Sequence, residues 1–272
     1  YEFQAVTSGD AGEYEVKICN DKECIVSEPF TLLVLPDSVS GLKAQARSAK
    51  SIKVTWNKIA GASRYMVLRS DDDETFDSIA NTADTTILDT PLVEGSRYSY
   101  RIIAKNNNGS SDTSDIVSST TWSGPKITSQ PKGLTLIEGD SLELSVVATG
   151  NPDVTYQWIK DGDSLPGATE ASYILNGVAI SDAGAYRVIV SNKVRSVNSD
   201  QVTVTVKREY TLDTKISSSG GGTISRNPDK EKYVAGEDVE LTAIPDQGYR
   251  FDNWTGDVSG DNPVVTIEMD TA

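Results

Sequence analysis

Two stretches decide the reading: Asp182-Ala183-Gly184-Ala185-Tyr186-Arg187-Val188 and, near the start of the chain, Asp10-Ala11-Gly12-Glu13-Tyr14-Glu15-Val16. They match position by position, and further on Asn20 aligns with Asn192. In each, the tyrosine and the valine two residues later fall on the same side of an extended strand, because side chains alternate with period two. Working outward from the later copy, Leu142, Leu144 and Val146 share one face of Leu142-Glu143-Leu144-Ser145-Val146, and Trp158 follows in Tyr156-Gln157-Trp158. Helical periodicity is almost absent. Short alternating runs between Gly, Asn, Asp and Pro turns predict an all-β protein.

Composition narrows the function classes. At roughly 100 residues per β-sandwich module, 272 residues hold about two to three domains. The charge balance is acidic, with 40 Asp plus Glu against 25 Lys plus Arg, a net of −15. Such a surface repels nucleic-acid phosphates and anionic lipid, so neither is an expected partner. The chain has no histidine. That removes Ser-His-Asp and Cys-His catalysis and imidazole metal ligation. No apolar run approaches the ~18 residues of a membrane-spanning helix, so no membrane insertion is expected in this segment. The two cysteines, Cys19 and Cys24, flank the polar turn Asn20-Asp21-Lys22-Glu23. A hairpin there places them opposite each other and predicts a disulfide, hence an oxidising compartment. Two free thiols or half of a metal site are the alternatives.

The motifs carry family resemblances. Residues 123–207 resemble an immunoglobulin-like domain, whose Asp-x-Gly-x-Tyr corner precedes strand F. The resemblance makes Tyr186 the corner tyrosine and Trp158 the core tryptophan, and it places the two core cysteines at Val146 and Val188. The inter-sheet disulfide is therefore absent, and packing must hold that core. Residues 1–35 resemble the C-terminal part of a second such domain, roughly strands E, F and G, with Val16 at the second cysteine position. Residues 36–122 resemble a fibronectin type III domain: Ile52, Val54 and Trp56 alternate on strand B, and Leu92-Val93-Glu94-Gly95-Ser96-Arg97-Tyr98 fits its Leu-x-x-Gly-x-x-Tyr corner. Residues 208–272 are similar to the divergent internalin-B-type repeat, through Gly248-Tyr249-Arg250-Phe251 and Trp254-Thr255-Gly256. That resemblance implies a small β-rich, β-grasp-like module, cut before its closing strand, with Trp254 in its core. The expected architecture is thus tandem β-sandwiches followed by one smaller module.

Few residues offer chemistry. Asp71, Asp72, Asp73 and Glu74 lie between predicted strands C and C′ of the second domain, and four adjacent carboxylates suggest calcium, which prefers six to eight oxygens. Against this, consecutive residues point in different directions and no Gly-spaced loop is present, so the leading reading is a solvated loop. Asp252, Asp257 and Asp261 are weighed the same way. Trp122 is either a sugar-stacking aromatic or a junction residue between the second and third domains. Tyr249, Phe251 and Trp254 are either a sugar platform or, as the resemblance implies, core. Gly220-Gly221-Gly222 is no phosphate loop, because neither Lys-Ser/Thr nor a helix follows.

The expectation is a non-catalytic structural or adhesive segment of a secreted or surface-anchored bacterial protein, a spacer or interaction scaffold without a cofactor. Its partners would be a protein or polysaccharide at the cell surface, with self-association as a further class. The alternatives are the accessory region of a large secreted polysaccharide-degrading enzyme and, third, a subunit of an extracellular filament.

Overall fold

Strand formation follows the alternation of the sequence almost everywhere. The computed structural model describes residues 6–217 and 221–270, and among them it contains strands and two short 3-10 turns but no α-helix. Gly220 of the triple-glycine stretch lies outside the described residues. The chain divides into two compact units. One comprises residues 1–125 with 150–154 and 192–195; the other comprises 126–149, 155–191 and 196–272.

The first unit begins with a broken hairpin. Strand Gly12–Tyr14 pairs antiparallel with Phe30–Leu32, and Lys17–Cys19 pairs with Cys24–Val26. Cys19 stands directly opposite Cys24, and the two form a disulfide. The hydrogen bond from Asn20 N to Glu23 O at 2.9 Å closes the adjacent pair, which leaves the cysteines at a non-hydrogen-bonded site, where side chains approach most closely.

The same unit then forms a sandwich. Lys43–Ser48, Ser51–Thr55 and Thr86–Asp89 make a three-stranded sheet, and Arg97–Asn106 is central in a five-stranded one beside Arg64–Ser70. Tyr98, Tyr100, Ile102 and Ala104, at every second position of that strand, are all buried between the sheets, with Ile52, Val54, Trp56 and Val67. The Trp56 and Tyr65 rings meet edge-on at 5.5 Å. Tyr98 closes the corner, its hydroxyl accepting the Val93 N–H at 3.1 Å.

In the second unit, Gly184–Ser191 lies between Thr155–Lys160 and Val202–Lys207, and Leu134–Ile137 runs parallel to the latter. Ser141–Ser145 and Ser172–Asn176 form a separate two-stranded sheet. Trp158 sits opposite Val188, and both are fully buried. Leu142, Leu144 and Val146 are buried too, so the two valines at the cysteine positions are inward apolar residues. Each contributes about 1.5–3 kcal/mol by burial. The Trp158 indole N–H donates to Glu170 O at 3.1 Å, and Tyr173 packs between the rings of Trp158 and Tyr186. Tyr186 donates its hydroxyl to Asp182 O at 2.7 Å. Burial pushes that phenol up to about 12, so it remains a neutral donor across the physiological range. Gly184 is required by its surroundings. Its φ is +156°, and a Cβ there would lie 2.5 Å from Asp161 Oδ2, whose carboxylate accepts the Ala185 N–H at 2.8 Å.

The last module, also in the second unit, has a three-stranded sheet of Gly222–Asn227, Asp238–Pro245 and Val264–Glu268, with Glu209–Tyr210 paired to Tyr233–Val234. Its core centres on Tyr233, Val239, Leu241 and Met269. Trp254 is only partly buried, packing against this core rather than filling it. Tyr249 corrects the core reading: it is 53% exposed. The stretch around it belongs to no strand ladder that would fix a period-two inward face.

A Tyr186→Phe change removes one hydrogen bond and no volume. It is expected to destabilise the immunoglobulin-like module by about 1 kcal/mol in urea unfolding, with unchanged near-UV dichroism after refolding. A loss no larger than that of an exposed-site control would show that the corner bond contributes nothing.

Candidate functional site

The side chains with the most specific polar geometry lie where modules connect. Two asparagines, each following a run of inward-facing residues, work in the same way. Asn106 Oδ1 accepts the N–H groups of Asn108 and Gly109 at 2.9 and 3.0 Å, and its Nδ2 donates to Val34 O at 2.8 Å. Asn108 Nδ2 donates to the same carbonyl at 3.2 Å. Asn192 Oδ1 accepts Val194 N–H at 2.9 Å, while its Nδ2 donates to Ser123 O at 2.8 Å and Pro152 O at 3.0 Å. One amide thus closes a turn and holds the connector that enters the module.

Glu94 completes the second connector, within the first unit. Its Oε1 accepts the Gly124 N–H at 2.8 Å and Arg195 Nη1 at 2.7 Å. The Gly124 N–H first, and the Arg195 guanidinium next, hold the Glu94 carboxyl below its usual range. Gly124 is close to the partner: a Cβ there would lie 2.2 Å from Arg195 Cζ. Trp122 is half-buried here, with Lys193 Nζ 5.6 Å from its ring centroid. Of the two readings for Trp122, the geometry gives it junction neighbours.

A buried polar cluster in the fibronectin-like sandwich was missed from the sequence. Asp89, 7% exposed, accepts Arg69 Nη1 at 3.1 Å and the Tyr100 hydroxyl at 2.8 Å. Burial, with the Asp89 carboxylate beside it, pushes the Tyr100 phenol far above its usual range. The signal was faint: Asp89 ends Thr86-Ile87-Leu88-Asp89, and a charge at an inward position marks a buried partner.

The acidic loop is organised from within. Asp72 Oδ1 accepts the Ser70 hydroxyl at 2.7 Å and the N–H groups of Glu74 and Thr75 at 2.8 Å each. Asp73 accepts from Arg97 and Ser99 instead. The two central carboxylates therefore face different donors, and Asp71 and Glu74 are exposed. Asp252, Asp257 and Asp261 are exposed as well. Among the described residues no three His, Cys, Asp or Glu side chains are gathered in a metal-holding group. Phe251 and Trp254 pack with their rings tilted at 53°, centroids 5.4 Å apart, and the Trp254 indole N–H donates to Asn262 O at 2.9 Å. No helix among the described residues is long and apolar enough to cross a membrane.

Comparison with known proteins follows the same division. The fibronectin type III domain family matches residues 37–120, the immunoglobulin domain family residues 124–192, and the divergent InlB B-repeat domain family residues 212–272. The decoration protein of Escherichia phage T5 is 43% identical over 70 residues, which is 25% of this chain and 42% of that protein. The titin homolog of Caenorhabditis elegans is 24% identical over 220 residues, covering 71% of this chain and 1% of that protein. The chain therefore spans less than half the length of these curated relatives. Among solved structures, extracellular domains 3-5 of Drosophila OTK align over 75% of this chain and 74% of that one at 23% identity, with a TM-score of 0.35. FN3tt aligns over 33% of this chain and 97% of that one at 25% identity, with a TM-score of 0.31. The described residues are all-β, and along the chain residues 37–120, 124–192 and 212–272 match, in order, the fibronectin type III, immunoglobulin and divergent InlB B-repeat domain families.

Proposed function

We propose that the chain is a non-catalytic structural and interaction segment of a secreted or surface-anchored bacterial protein, and that protein surfaces are its partner class. The observation that carries this reading is the Glu94 carboxylate, which accepts from Gly124 N–H and Arg195 together. Polar side chains that a binding cleft would present to a ligand are directed here to the backbone between modules. Connectors closed by hydrogen bonds suit a segment that transmits load or holds spacing, and interaction surfaces then lie on loops and sheet edges. The disulfide and the match to an immunoglobulin domain fit an extracellular setting.

In this reading Asp71, Asp72, Asp73 and Glu74 form a solvated loop rather than a calcium site. The Asp72 carboxyl, held down to about 2 by the Ser70 hydroxyl and by the Thr75 and Glu74 N–H groups, already has its donors. Its folded pKa lies below the ordinary 3.8, so its contribution to stability is present above that value and is lost as pH falls towards 2. Carboxyl-carbon NMR is expected to show Asp72 titrating near 2, and calcium titration is expected to leave the melting temperature unchanged. An Asp72 midpoint near 3.8, or a calcium-dependent rise in melting temperature, would reopen the loop as a cation site.

The load-bearing role is tested by pulling the full chain between its ends. The fibronectin-like module is expected to yield in one step that releases about 80 residues, a contour gain of ~280 Å. Glu94→Gln combined with Arg195→Met should leave that step intact and raise amide exchange at residues 122–125. Extension without discrete steps would defeat the reading.

A further inference from the structure

One run of the sequence departs from the acidic balance of the rest. Between Asp37 and Asp71 the chain holds seven Lys or Arg and no Asp or Glu, although its net charge is −15. Two of the seven are engaged: Arg69 pairs with Asp89, and Arg64 bonds the Asn81 side chain and carbonyl. Three others, Lys43, Arg47 and Lys53, line one open groove of about 590 Å³ together with Gln45, Thr55 and Ser118. No carboxylate lines that groove. Among the described residues, none of the three cations is in an ion pair.

The strand pattern gathers them. Lys43–Ser48 is the edge of its three-stranded sheet, and Ser51–Thr55 is its neighbour. Ala44, Ala46, Ile52 and Val54 turn inward to the core of the sandwich. The alternate positions carry the cations, with Lys53 opposite Gln45 and Arg47 exposed at the bulge between Ala46 and Ser48. Along the strand Lys43, the Gln45–Lys53 pair and Arg47 succeed one another in steps of about 7 Å, two residues of extended chain. The backbone adds a donor and an acceptor. Ala46 N–H donates to Ser119 Oγ at 3.1 Å, away from Ser51–Thr55. Ala44, two residues earlier, shares that direction. Its N–H and C=O therefore face the groove, where no described residue bonds them.

We propose that this groove docks an extended acidic segment of a partner protein. Carboxylates at alternate positions of that segment meet Lys43, Lys53 and Arg47, and its backbone exchanges hydrogen bonds with Ala44. The repeat of about 7 Å is that of alternate side chains on a strand, which favours polypeptide over an anionic polysaccharide. A cationic groove on an acidic chain also steers opposite charge to one place, since the remaining surface repels it. The proposal rests on the reading of the chain as an interaction segment and names the chemistry of the partner.

Fluorescence anisotropy of the full chain with a short labelled peptide of alternating Glu and Thr is the test. The peptide is expected to bind, and its counterpart with Gln in place of Glu is not. Raising the ionic strength from about 0.1 M to about 1 M shortens the screening length from ~10 Å to ~3 Å and should release the peptide. Lys43→Gln with Arg47→Gln and Lys53→Gln should weaken binding about tenfold. Lys17→Gln with Lys126→Gln and Lys132→Gln, at exposed positions outside the groove, makes the same change of net charge and should not. In amide NMR the Ala44 N–H is expected to shift on peptide addition. Equal weakening by the two triple variants would reduce the effect to net charge and overturn the proposal. So would an absence of binding, or tighter binding of an oligo-uronate of equal charge. A dimer of the chain that the groove variant dissociates gives the groove to a second copy and overturns the proposal as stated. None of these outcomes alters the stepwise extension expected under force, so the groove can fail while the spacer reading stands.

Discussion

An inward-facing tyrosine whose hydroxyl needs a partner is the constraint on which these modules depend. A phenol buried without a hydrogen bond is costly, and the backbone a few residues upstream is the nearest group able to satisfy it. Tyr14 and Tyr186 donate to the carbonyls of Asp10 and Asp182, while Tyr98 accepts from Val93 N–H. Satisfying that one hydroxyl fixes where the chain crosses between sheets and which residues of the next strand face in. From Tyr186 the alternation buries Val188 and Val190; from Tyr98 it buries Tyr100, Ile102 and Ala104.

The end of the same strand is fixed by a second economy of polar groups. Asn106 and Asn192 each close a turn with the carbonyl oxygen of the side chain and hold an entering connector with the amide nitrogen. Asn106 ends the strand that carries Tyr98, and Asn192 directly follows the strand Gly184–Ser191 that carries Tyr186, so each asparagine is placed by a strand whose register also buries a core. Glu94 adds a charge-assisted bond to Arg195 on an exposed surface, where screening keeps such pairs modest. It also accepts the Gly124 N–H at 2.8 Å, which ties the side chain to the backbone of the connector.

The sandwich cores were legible because their signals are local. Asp-x-Gly-x-Tyr closes a bond over four residues, and the alternation around Trp56, Tyr98, Trp158 and Val188 reports a face directly. The Cys19–Cys24 pairing was legible for the same reason, a short turn between two strands. Tyr249 was misread because no ladder imposes a period on its stretch. Asp89 escaped because Arg69 and Tyr100 reach it from other strands, 20 and 11 residues away.

The amino-acid sequence by itself determined the all-β class, the order of the modules and the inward faces of the two sandwiches, since period-two burial and tight corners are encoded within a few neighbouring positions. Only the tertiary structure decided which polar groups meet. It brought Asn192 to Ser123, Glu94 to Gly124 and Arg195, and Asp89 between Arg69 and Tyr100. It also showed that the same hairpin is covered around Val188 and open at Val16. The physical reason is range: a strand specifies its own face, but the strand that covers it comes from a distant part of the chain.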